Sequence, residues 1–112
     1  MAEDSLASIK AHLKGEYGLE DSDVAEMVQD FLNTLGKLLG EAQAETDMGS
    51  LKRQGHSIKG LAANVGAPSI SSFGKFIEDN AKPGVMKEFF SDALNSIDRQ
   101  YAALRSQHEA GL

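Results

Sequence analysis

The sequence predicts an all-α protein, an antiparallel four-helix bundle with a short additional N-terminal helix. Three observations predict it. Apolar residues recur at three- and four-residue steps through 22–44 and again through 85–104, each stripe long enough for a helix that spans a small domain. No segment alternates apolar and polar residues for long enough to make a strand. The breaks between periodic segments are short and carry Gly, Pro or Asp, so successive helices run antiparallel.

A leading helix over about 4–14 presents Leu6, Ile9 and Leu13 on one side and stops at Gly15. The first long helix, 22–44, is striped by Val24, Val28, Phe31, Leu35, Leu38 and Ala42, with Ser22 or Asp23 to cap its start. A shorter helix runs from an N-cap at Asp47 to Val65, where Gly66 supplies the stop. The next opens at Pro68, whose missing N–H is harmless in a first turn, and sets Ile70, Phe73, Phe76 and Ile77 in the core before Asn80. Pro83-Gly84 breaks the chain ahead of the last helix, 85–104, striped by Met86, Phe90, Ala93, Ile97, Tyr101 and Leu104.

A chain of 112 residues makes one domain, 1–112, with the bundle core over about 18–108. Cysteine is absent, which removes disulfides, thiolate zinc sites and cysteine nucleophiles together. No apolar run approaches the ~18 residues that cross a bilayer. The acidic start, Met1 to Ser5, has no basic region followed by an apolar stretch and does not read as a signal peptide. The expectation is a soluble, cytoplasmic monomer with no membrane partner.

Net charge is −6, which argues against nucleic acid as a partner. Its distribution is uneven. Residues 1–47 carry −8 and residues 78–112 carry −2. Between Asp47 and Glu78 there is no acid, only Lys52, Arg53, Lys59 and Lys75. An acidic chain has kept one +4 island, the mark of a docking surface for something acidic.

At about 100° per residue, His56 stands on the helix face opposite Leu51, Ile58, Leu61 and Val65. Lys52, Arg53, Lys59, Gly60 and Ala63 fall on its own side, within about 60° of it. Packing does not explain a histidine there. The cations beside it disfavour its charged form and leave the ring a neutral base. A neutral ring nitrogen is a nucleophile, and Lys59 on the same face meets the negative charge of a phosphoryl group. Gly60, one turn on, leaves room for a partner to bring a phosphate-bearing group close. His12 and His108 read as ordinary surface residues, Glu78 as helix surface or a local polar contact.

The stretch His56-Ser57-Ile58-Lys59-Gly60-Leu61-Ala62-Ala63-Asn64-Val65-Gly66-Ala67 resembles the signature of histidine-containing phosphotransfer domains, H-x-L-K-G followed by two small residues and, three further on, G-A. The resemblance covers about 18–106 and includes the spacing of Phe31 and Leu35, Asp47 nine residues before the histidine, and the Ile77-Glu78 pair. It departs at Ile58, usually Leu, and at Leu61, usually small. The resemblance implies a four-helix bundle that serves as a phosphorelay intermediate. His56 is then the phospho-acceptor, Lys59 the phosphate-facing base and Gly60 the clearance position. Lys52, Arg53 and Ala63 are receiver contacts, and Lys75 of the same basic island joins them. The implied partners are response-regulator receiver domains and a sensor histidine kinase. No cofactor belongs to the chain itself, since the assisting Mg²⁺ sits in the receiver's acidic pocket.

Two other functions compete with this one. An autonomous histidine kinase is excluded: the chain has no glycine-rich nucleotide site and no length for a nucleotide-binding domain. A helical module that docks a receiver-like or kinase partner without taking phosphate is the alternative, under which His56 is dispensable.

Overall fold

The structure, a computed structural model, describes residues 2–112. Five α-helices follow in order: α1 (Leu6–Tyr17), α2 (Asp21–Ala44), α3 (Met48–Asn64), α4 (Pro68–Asn80) and α5 (Ser91–Glu109), with a 3₁₀ turn at Lys87–Phe90 before the last. Helices α2 to α5 form the bundle, each packed on the next in chain order and α5 back on α2. The short α1 lies against α2 and α5. The all-α bundle with its extra N-terminal helix is the fold expected.

Most residues of the stripes read from the sequence lie in the core. Leu35, Leu51, Ile58, Ile70, Ile77, Phe90 and Ile97 are fully buried. Burying each such side chain contributes roughly 1.5–3 kcal/mol relative to leaving it in water. The local signals at the start of α3 also hold. The Asp47 carboxylate accepts from Ser50 N at 2.8 Å, and Gly66 takes φ +74° just past the helix end, a conformation that costs little only without a β-carbon. Pro68 is the first residue of α4.

Several boundaries differ. Helix α1 runs through Gly15 to Tyr17 and ends at Gly18, at φ +61°, whose N–H donates to Lys14 O. A left-handed residue is what closes a helix this way, and Gly18 rather than Gly15 supplies it. Helix α2 begins at Asp21 with no side-chain cap. Asp21 and Asp23 instead place negative charge in its first turn, where the helix dipole favours it.

The last helix starts at Ser91 rather than 85. The 3₁₀ turn winds more tightly than an α-helix and brings Phe90 into the core, leaving Met86 and Phe89 exposed. Phe76 is likewise outside the core: it lies off the stripe of Phe73 and Ile77 and stacks on Phe89 at 5.4 Å between ring centres.

The N-terminal segment caps α4. No side chain of α4's own N-cap, Ala67, bonds its first amides. The Asp4 carboxylate accepts from Ser69 N at 3.0 Å and Ile70 N at 2.7 Å. Asp4 N in turn donates to Gln100 Oε1 (2.9 Å), and Gln100 Nε2 to the buried Ser69 Oγ (3.0 Å). One polar chain thus ties the start of the protein to α4 and α5.

Candidate functional site

Helix α3 turns Leu51, Ile58 and Ala62 into the bundle, and the 3.6-residue repeat therefore places His56 outward. Two-thirds of the His56 side chain is exposed (66%). Lys52, Arg53, Gly60 and Ala63 are exposed on the same helix, and Lys59 is partly buried. The face read from the helical wheel is the face the fold presents.

Its charge differs from the expectation. The group nearest the imidazole is a carboxylate from the neighbouring helix: Glu78 Oε2 of α4 lies 2.5 Å from His56 Nδ1. Glu78 Oε1 accepts from Lys59 Nζ at 2.6 Å, and the Glu78 backbone carbonyl accepts from Lys52 Nζ at 3.1 Å. Glu78 is mostly buried, 17% exposed. The Lys59 ammonium, and then His56, hold its carboxyl below the usual carboxylate range, because both favour the ionised form.

The remaining cations face elsewhere. Arg53 Nη2 donates to Ser50 Oγ on its own helix. Lys75 pairs with Asp79 at 2.5 Å, one turn along α4, so it does not join the cluster around His56. Glu78 and Asp79, both just past the acid-free stretch, offset two of the four charges of the island. Gly60 is open: a β-carbon there would meet no atom within 4 Å.

This arrangement defines the chemistry of the ring. A carboxylate only accepts hydrogen bonds, so the pairing favours hydrogen on Nδ1, which in the neutral ring leaves the lone pair on Nε2. The orienting carboxylate is the residue that sequence reasoning passed over. Its only signal was the Ile77-Glu78 pair. Nothing local connects it with a histidine 22 positions earlier.

His12 and His108 take no part. His12 meets Tyr17 edge-on and His108 Nε2 lies 2.9 Å from Gln29 Oε1. Among the described residues, no three His, Asp or Glu side chains gather as a metal site, and no helix is long and apolar enough to cross a membrane.

Comparison with known families finds a match to the model of the Hpt domain over residues 23–107, which takes in α3, α4 and every residue of the His56 cluster. Neither curated proteins nor solved structures gave a match. A match over three-quarters of the chain, centred on this geometry, shows that the protein belongs to the Hpt domain family, the phosphotransfer modules of two-component systems.

Proposed function

We propose that the protein is a phosphorelay intermediate whose phospho-acceptor is His56. The observation that carries this reading is the exposed imidazole with Nδ1 engaged by Glu78, which leaves Nε2 directed to attack. In the forward step the Nε2 lone pair bonds to the phosphorus of an aspartyl phosphate on a receiver domain, or of a kinase's phosphodonor. The bond from phosphorus to the donor oxygen breaks, and the donor keeps that electron pair. The Nδ1 hydrogen stays on the ring, so the phosphorylated imidazole carries a formal positive charge that Glu78 balances. Transfer to a second receiver aspartate is the reverse displacement.

Lys59 lies beside the same carboxylate and is the cation that meets the phosphoryl oxygens; this places positive charge where the transferring group concentrates negative charge. Lys52 and Arg53 steer an acidic receiver pocket, raising the rate of encounter more than the affinity. Gly60 and Ala63 let the receiver approach without obstruction. Lys75, at the edge and paired along its own helix, contributes to this field only at a distance. The divalent cation that assists transfer belongs to the receiver.

The test is incubation with a phosphorylated receiver domain. The reading expects phosphate to move to the chain as an acid-labile, alkali-stable adduct on His56. Binding of the receiver without any transfer would leave a docking module instead.

A further inference from the structure

Glycine is the poorest helix former after proline, yet α3 buries one, Gly55, immediately before His56. A second, Gly74, is buried on α4. A β-carbon at Gly55 would lie 2.8 Å from the backbone nitrogen of Glu78, 2.8 Å from Ile77 Cγ2 and 2.9 Å from Gly74 O. A β-carbon at Gly74 would lie 2.7 Å from the backbone nitrogen of Lys59, 2.9 Å from Gly55 O and 3.1 Å from Lys59 Cα. Nearly all of these neighbours are main-chain atoms, which cannot swing aside as a flexible side chain does. At this crossing the two helices therefore touch backbone to backbone.

The residues at the crossing belong to the site. Gly55 adjoins His56 in sequence and abuts Glu78; Gly74 abuts Lys59 and lies one turn before Glu78. The geometry points to Gly55 and Gly74 as positioning residues for the phospho-acceptor: they set the separation of α3 and α4 at which one carboxylate holds both the His56 ring and the Lys59 ammonium. Ordinary apolar side chains such as Ile58 and Ile77 would pack two helices at about 8–10 Å, without main-chain contact. Lysine is long enough to follow a retreating partner. The imidazole is not, having two rotatable bonds and a rigid ring. Widening the crossing therefore affects the His56 contact first.

The inference rests on the reading of His56 as phospho-acceptor, and its test separates the two. The His56 ring nitrogens are observed by ¹⁵N NMR in the unphosphorylated protein, which reports the tautomer whatever the fate of phosphate. Uptake of phosphate from phosphoramidate, a small donor that needs no docking, is measured alongside. The variants are Gly55→Ala, Gly74→Ala, Glu78→Gln, the double variant Gly55→Ala with Glu78→Gln, and Gly40→Ala, a position open on all sides, as control.

In the parent, the hydrogen is expected on Nδ1. Each buried-glycine variant is expected to keep a cooperative melt while its His56 signals move towards those of Glu78→Gln, with a matching fall in uptake. The double variant then moves no further than Glu78→Gln alone, because the ionised acceptor that favours hydrogen on Nδ1 is already gone, and Gly40→Ala behaves as the parent. Unchanged ring signals in folded Gly55→Ala and Gly74→Ala overturn the inference. So does loss of the cooperative melt in both, which assigns the glycines to folding alone. A parent that takes up no phosphate, while the ring signals of its glycine variants still shift towards those of Glu78→Gln, refutes the phospho-acceptor reading and leaves the positioning intact.

Discussion

Glu78 Oε2 sits 2.5 Å from His56 Nδ1, joining two helices across 22 positions of sequence. The pairing favours the tautomer of a surface histidine with hydrogen on Nδ1, so the lone pair on Nε2 depends on how α3 packs against α4.

His56→Gln removes the imidazole and keeps a polar side chain at an exposed position. Helicity and melting temperature should match the parent within about 0.5 kcal/mol of stability, while phosphate acceptance disappears. A variant that still forms the acid-labile adduct would place the acceptor elsewhere.

Glu78→Gln should fold and accept phosphate more slowly, because the amide no longer favours hydrogen on Nδ1. It also changes the response to acid. The folded protein holds the Glu78 carboxyl below the ordinary range, so its contribution to stability is complete above the unfolded value of ~4.3 and is lost as pH falls through the lower folded value. Parent stability should therefore drop more steeply than that of Glu78→Gln on acidification below about pH 4.5. Parallel acid titrations followed by circular dichroism check the sign.

Lys59→Ala removes the ammonium that pairs with Glu78 and leaves that carboxylate to His56 alone. Slower phosphate uptake or a shorter-lived adduct is expected, with helicity unchanged. Transfer kinetics and adduct lifetime equal to the parent's would exclude the phosphate contact.

Gly60→Ala should raise the melting temperature by a few degrees. The position is mid-helix and open on every side, and alanine is favoured over glycine there by roughly 0.8–1.0 kcal/mol. Gly60→Gln or Gly60→Leu should keep the fold and lose receiver docking. Unaltered transfer in these bulkier variants would remove clearance from the mechanism.

Asp4→Ala takes away the carboxylate that caps α4 and should cost about 0.5–2 kcal/mol, read as a lower midpoint in urea unfolding. The His56 ring signals should stay as they are, since the cap lies at the far end of α4 from Glu78.

The periodicity of Val24, Val28, Phe31 and Leu35, the Asp47 cap, the Gly66 stop and the first-turn Pro68 were all legible in the sequence, because each is decided within a few residues by backbone geometry and one-sided burial. So was the outward face of His56, since the residues that oppose it on the helix are apolar. Other boundaries depended on choices among competing local signals. Gly15 reads as a stop in the sequence, yet the helix runs on to Gly18, whose left-handed backbone lets its N–H cap Lys14 O.

The partner of His56 was a tertiary matter. A carboxylate at position 78 has no local signature as an imidazole ligand; it becomes one because Gly55 and Gly74 allow α3 and α4 to touch main chain to main chain. The sequence by itself determined which residues line the outward face of α3, since helical geometry is local. Only the tertiary structure decided that the imidazole on that face meets a carboxylate before a cation, because the distance between charges on different helices is set by how closely their backbones pack.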